Sequence, residues 1–300
     1  MSLMFCAAMA GLMATGVDLK SMTIDDQRAV EVDNWRAQRV ARLKEPYGWL
    51  SLVGLHWLKE GVNSVGSAKD NDIVLAVGPA KLGKATLNGG QVTFTLESAA
   101  VASLGGSETA TSGVLRDDSS PRPTIVSFGT AQFYLIDRDG KKALRVKDSA
   151  APTRKNFVGI DYFPTNASWR VEAKWEAFNP PKELEVPNVL GNVEKYKVPG
   201  KAVFKHAGKE YEVQPVLETA DAKELFLIFA DKTSGKETYG AGRFLYADLP
   251  KDGKIVLDFN RAYNPPCAFT PYATCPLAPP ENKLKVRVEA GEKKYRGSAH

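Results

Sequence analysis

Two hydrophobic periods organise the chain, a helical one near the N-terminus and a two-residue one repeated from there almost to the end. Between Thr23 and Lys44, Val32, Trp35, Val40 and Leu43 form an imperfect apolar face. Asp25 and Asp26 occupy the first turn of this stretch, and Arg36, Arg39, Arg42 and Lys44 gather toward its end. That order of charge complements a helix macrodipole, and Pro46 cannot continue the helix. A helix within 21–46, packed on the outside of a β domain, is the expectation. The run Tyr47–Leu58 (YGWLSLVGLHWL) reads as a core segment.

Short β-branched runs follow at 71–75, 82–87, 91–96, 124–128, 132–137 and 142–147, with Asn88-Gly89-Gly90 and Arg138-Asp139-Gly140 as hairpin turns. From Trp169 to Ala177 the alternation is complete, with Trp169, Val171, Ala173, Trp175 and Ala177 on one face and charges on the other. Asn179-Pro180-Pro181 interrupts it. Further strands are expected at 201–206, 210–217, 225–230, 238–246, 255–260 and 283–289, the last from Leu284, Val286 and Val288. The predicted fold is mainly β: two packed antiparallel β units, sandwich or barrel-like, with one N-terminal helix. The expected division is a leader at 1–20, the helix at 21–46, a first β unit at 47–178, a linker at 179–187 and a second β unit at 188–296.

Composition adds limits. The 300 residues carry 40 Lys plus Arg against 35 Asp plus Glu, a net charge of +5, and the signs are interspersed. Nucleic-acid binding needs a clustered basic footprint, so no nucleic-acid partner is expected. Leu3–Val17 is apolar, too short for a comfortable membrane span and suited to a signal-peptide core, with small residues at Ala8, Ala10, Ala14 and Gly16. Cleavage would leave a periplasmic or secreted protein with no integral span. A lipoprotein anchor at Cys6 is disfavoured by the bulky Phe5 before it.

The most unusual stretch is Asp258–Asn282 (DFNRAYNPPCAFTPYATCPLAPPEN), a long loop with six prolines. Ordered loops of this length are usually functional. Cys267 and Cys275 lie within it. In an oxidising compartment they would close a disulfide contributing roughly 2–3 kcal/mol; a free thiol pair or metal ligation are the other readings. No P-loop, G-x-S-x-G, H-E-x-x-H or C-x-x-C motif occurs, and no metal or cofactor is expected. The polar residues on and beside the loop are the candidate site: Arg243, Asp258, Asn260, Arg261, Tyr263 and Tyr272 for binding, with Asp258, Glu281 and His56 as weak candidates for acid–base work. His56, among Leu55, Trp57 and Leu58, reads more simply as a core histidine. An Arg–Asp network that merely pins the loop is the competing account of the polar set.

Two resemblances carry further. Gly66-Ser67 through Asn71-Asp72-Ile73-Val74-Leu75 resembles the early strand-turn-strand of forkhead-associated domains. The Arg and His that would bind phosphothreonine are absent from Ala76–Leu82, so phosphopeptide binding does not carry over. Trp49-Leu50 with Leu52–Leu58 and Gly61, Phe157–Phe163 with Trp169-Arg170-Val171, Gly242-Arg243-Phe244, and above all Leu257–Asn282 resemble the bacterial domain-of-unknown-function family 1684. That resemblance implies an envelope or secreted protein without an established activity. The function expected is binding of a small polar ligand or envelope component at the 258–282 loop. An envelope hydrolase using Asp258 and Glu281, or a purely structural interaction module, are the alternatives.

Overall fold

A computed structural model describes residues 22–97 and 102–297. The leader expected at 1–20, with Cys6, lies outside these residues. Among the described residues no helix is long and apolar enough to cross a membrane.

Helix α1 (Ile24–Leu43) begins with a capping box, in which the Thr23 side chain accepts from the Asp26 N–H while the Asp26 carboxylate accepts from the Thr23 N–H. Val32, Leu43 and, against expectation for a charged residue, Arg39 face inward. Ten strands follow: β1 (Leu52–Trp57), β2 (Gly61–Gly66), β3 (Ile73–Val74), β4 (Gly83–Asn88), β5 (Gln91–Leu96), β6 (Ser103–Leu104), β7 (Ser112–Val114), β8 (Ile125–Phe128), β9 (Ala131–Arg138) and β10 (Lys141–Asp148). They form two sheets, ordered β1-β10-β9-β8-β6 and β3-β2-β4-β5-β7. Val65, Leu82, Ala85 and Phe94 of one sheet meet Val126, Phe133, Leu144 and Val146 of the other in a continuous core. Burying such alternate residues is what makes the two-residue period visible in sequence.

The second half contains a one-turn helix α2 (Pro152–Lys155), then β11 (Arg170–Pro187), β12 (Val193–His206), β13 (Lys209–Val213), β14 (Glu224–Phe229), β15 (Arg243–Asp248) and β16 (Lys254–Asp258). One sheet is ordered β13-β12-β11-β16; β14 and β15 pair separately. This pair is apolar on both faces. Leu225, Leu227, Phe229 and Leu245 join one core with Ala173, Phe204 and Leu257. Phe226, Ile228 and Phe244 join another that includes Leu52 of β1, so the two halves share packing.

The change of sheet falls between β10 and β11, earlier than the expected linker at 179–187. Those residues lie inside β11. The tandem prolines fit because the register with β12 is interrupted between Ala177 and Lys182, and β16 pairs with β11 only as far as Lys174. Pro180 and Pro181 therefore face no ladder that needs their missing N–H. The second departure is at 283–289, which alternates perfectly in burial yet forms no strand. Its main-chain groups are taken individually: Leu284 N–H donates to the Ala230 carbonyl, and Val288 N–H to the Asp231 carboxylate. Alternation reports one buried face, and here the partners are a short stretch of backbone at 230–232 and one carboxylate rather than a regular strand.

Candidate ligand-binding site

The polar strand pair and the proline-rich loop do not come together as one site. Arg243, at the start of β15, is 1% exposed and ion-paired, with both terminal nitrogens engaged and only Nε left without a partner. One terminal nitrogen donates to Asp231 Oδ2 at 2.9 Å and to the Val288 carbonyl at 2.8 Å; the other donates to the Ala290 and Glu292 carbonyls. Its guanidinium lies over the Phe229 ring. Burial holds its pKa below the ordinary arginine value against the opposing pull of Asp231. Gly291 lets the accepting segment pack closely on the turn at 259–262: its φ is +77°, and a Cβ there would collide with the Ala262 carbonyl. Arg243 is thus a pin for the C-terminal segment, with no access to a cavity.

Of the other expected residues, Asp258, Asn260 and Arg261 cluster at one turn, with Arg261 Nε 3.6 Å from Asp258 Oδ2, and the rest lie elsewhere. Asp258 caps the turn Phe259–Arg261, accepting from the Asn260 N–H and side-chain amide at 3.2 and 2.9 Å. Asn260 in turn brackets Asn166 through both of that residue's main-chain groups, and Arg261 reaches Glu31 on α1. Glu281 is exposed on a separate turn, Pro280–Asn282, against β13 and β14. His56 stands on β1 beside Leu144, half-buried, with burial lowering its pKa. Tyr272 is exposed. Asp258 and Glu281 thus sit on different turns, and neither lines the cavity described below. Of the expected set only Tyr263 lines the principal cavity.

The loop itself is wall and core rather than lid. Phe259, Cys267, Phe269, Ala273 and Cys275 are all buried. The expected disulfide is absent. Cys267 and Cys275 are free buried thiols, and each backbone N–H donates to the other's sulfur, at 3.1 and 3.3 Å. The Cys275 thiol, hydrogen-bonded to Cys267, draws the Cys267 pKa down, and burial pushes that of Cys275 up. Val189 N–H, at the tip of the β11–β12 hairpin, donates to the Cys275 carbonyl and clips the loop in place.

Held this way, the loop closes a cavity of about 460 Å³ between the two halves. Its floor on the N-terminal side is the face of β9 and β10 turned away from the first core. The antiparallel register sets Arg145 opposite Tyr134 and puts Arg138 at the strand end. The opposite wall is aromatic: Phe226 and Tyr246, paired across β14 and β15, stack at 5.0 Å, and Tyr246 stacks on Tyr263 at 6.2 Å. Tyr246 Oη donates to Glu218 Oε2 and Tyr196 Oη to Glu194 Oε2, both at 2.7 Å. Burial, reinforced by these glutamates, drives both phenol pKa values far up, so the hydroxyls stay protonated donors.

Three arginines reach this cavity, and two are neutralised. Arg138 forms a bidentate pair with Asp118 at 3.1 and 2.8 Å. Arg39, projecting from α1, donates to Glu292 at 3.0 Å and to the Asn264 carbonyl at 2.9 Å, with its guanidinium 4.7 Å from the Tyr263 ring centre. Arg145 differs. It is 3% exposed, and among the described residues no carboxylate pairs with it. A single hydrogen bond, to Thr274 Oγ1 at 3.1 Å, engages its guanidinium, and Nε is buried without a partner. Thr274 Oγ1 also accepts from Arg138 Nε at 3.2 Å. A buried cation normally demands a paired anion; here the vacant direction is the cavity.

Neither Arg145 nor Thr274 was singled out by the sequence. Lys141–Asp148 reads as a strand with one wet face, and nothing local shows that a loop some 130 residues away covers it.

Residues 155–293 match the family described as "Protein of unknown function (DUF1684)". Over that stretch the chain resembles the DUF1684 family. No curated protein matches the chain. The solution NMR structure of an uncharacterised protein from Haloarcula marismortui is similar at 31% identity, covering 48% of this chain and 81% of its own, with a TM-score of 0.41. The matched DUF1684 residues include the aromatic wall and the loop, whereas Arg138 and Arg145 precede them.

Proposed function

We propose that the protein binds a small anionic ligand in the cavity between its two halves, with Arg145 as the charge that holds it. The observation that carries this reading is Arg145 itself, buried, without a carboxylate and with an unpartnered Nε, on the wall of a cavity large enough for a metabolite. Thr274 fixes one side of the guanidinium, leaving the rest for a carboxylate or phosphate. The 258–282 loop serves the site by building its wall, through Tyr263, Pro266, Thr274 and Cys275. Export, drawn from the apolar leader, belongs to the same proposal and would make the ligand an extracytoplasmic one.

The test is thermal denaturation of the purified protein with inorganic phosphate, sulfate, acetate and citrate, alongside Arg145→Gln. A ligand at about one hundred times its Kd stabilises by about 2.7 kcal/mol. The expected result is stabilisation of the parent by at least one anion and none of the variant. Equal shifts in both proteins, or no shift in the parent, would overturn the reading.

A further inference from the structure

The unmatched charges of the cavity say more about the ligand than its sign. Among its basic residues Arg39 and Arg138 are already paired, leaving Arg145 as the spare cation. Among its acids Asp137 is met by Lys142 at 2.6 Å, and Asp139 is exposed on the β9–β10 turn, where water screens it. Glu194, half-buried, and Glu218, exposed, remain; unlike Asp139, each is held at the cavity by the hydroxyl of a lining tyrosine. Among the described residues neither has a salt-bridge partner; each holds only the neutral hydroxyl of a tyrosine, through one oxygen. Both line the same cavity, and, after burial, the charge of each raises the Tyr196 phenol pKa.

Spare acids edged by aromatic rings are the chemistry that receives an ammonium group, which gains from both the carboxylates and the ring faces. Tyr196, Tyr246, Tyr263, Phe226 and Phe244 supply those rings. An anion alone would satisfy Arg145 and leave its other end against two unpaired carboxylates. Building on the anion-binding reading, we infer that the ligand is a zwitterion, a small molecule whose carboxylate or phosphate sits on Arg145 and whose amine sits between Glu194 and Glu218 against the tyrosine wall. The protein then discriminates by the second charge: amine-free anions of the same length meet repulsion where the zwitterion meets attraction.

Calorimetric titration tests this with matched pairs: phosphoethanolamine against ethyl phosphate, and ω-aminoalkanoates of increasing length against the corresponding alkanoates. The expected result is that the best amine-bearing member binds about tenfold more tightly than its amine-free partner. In the double variant Glu194→Gln, Glu218→Gln that advantage should vanish while the amine-free partner binds at least as well as before. Arg145→Gln should weaken both members of a pair. If amine-free anions bind the parent as tightly as their amine-bearing partners and Arg145→Gln still abolishes them, the zwitterion inference is overturned and the anion site stands. If no probe binds, or Arg145→Gln changes nothing, the anion site falls as well.

Discussion

Arg243 and Arg145 both leave solvent almost completely, and they use their charge in opposite ways. Arg243 spends every terminal N–H on Asp231 and on carbonyls of 288–292, closing the C-terminal segment over one core. Arg145 keeps one hydroxyl partner and turns the rest of its guanidinium to a cavity. Burial alone therefore does not mark a binding residue, nor does an unpartnered Nε, which the two share; the missing carboxylate does, because an unpaired buried charge is retained against a cost that removal would relieve. The comparison predicts opposite signs for the same substitution at the two positions.

The largest effect is expected at Arg243. Arg243→Met strands the Asp231 carboxylate and the carbonyls of 288–292 in a dry interior, so a loss of about 3–5 kcal/mol is expected in chemical denaturation. Asp231→Asn should lose less when added to Arg243→Met than alone, since the two side chains act as a unit. Additive losses would show that the pair is not coupled and would remove this arm of the comparison.

Arg145→Met should go the other way. Replacing an uncompensated buried cation with an apolar side chain of similar length is neutral or stabilising, by up to about 4 kcal/mol. Stability in the absence of ligand should hold or rise while anion-dependent stabilisation disappears. A loss comparable to that of Arg243→Met would mean that Arg145 has a structural partner after all, and the contrast would collapse.

How much of this was legible in the sequence differs along the chain. The helix was, because Asp25, Asp26 and Pro46 are local signals that need no tertiary partner. So were most strands, since alternation such as Trp169–Ala177 records one buried face directly. The segment 283–289 shows the boundary of that inference: its alternation is real and its strand is not, because its backbone pairing is confined to a few bonds with 230–232 and the side chains of Arg243 and Asp231 take other main-chain groups. The loop 258–282 was visible as exceptional, and it does wall the cavity. Its polar residues misdirected, because Arg243 and Asp258 advertise charge without showing how fully it is satisfied. Arg145 lay unremarked in the run 142–147. Only the register that sets it opposite Tyr134 and the packing that lays Thr274 over it make it distinctive. A stronger signal lay in combining strands: Arg138 and Tyr134 on β9 share the face of Arg145, and such a cluster on a supposedly wet face asks what covers it.

Thr274 links the cavity's arginines, and its substitution sharpens the comparison at smaller scale. Thr274→Val keeps the shape but removes the oxygen that accepts from Arg138 and Arg145. A loss of about 1.5 kcal/mol in ligand-free stability is expected, since bonds to charged donors exceed neutral ones. Anion affinity should fall without vanishing, because Arg145 remains but is no longer held in direction. Unchanged affinity measured by titration calorimetry would count against Thr274 as the group that orients Arg145.

The last effect is a dependence on pH carried by Lys147, two residues along β10 on the same face as Arg145. Its ammonium donates to the Tyr47 carbonyl at 2.7 Å and faces the rings of Trp49 and Tyr134. Burial, and secondly the charge of Arg145, lower its pKa from 10.5 to about 8. Between those values the unfolded chain binds more protons at this group than the folded one, so its contribution to stability rises with pH from about 8 to 10.5. Denaturation midpoints across that window should climb more steeply in the parent than in Lys147→Met. In Arg145→Met the climb should begin at a higher pH, because one of the two causes has been removed. An anion bound at Arg145 should act in the same direction, which makes the onset of the climb a report on site occupancy. Identical pH profiles for the parent and Arg145→Met would show that the Arg145 charge is already compensated in solution, and would break the contrast between the two arginines at its source.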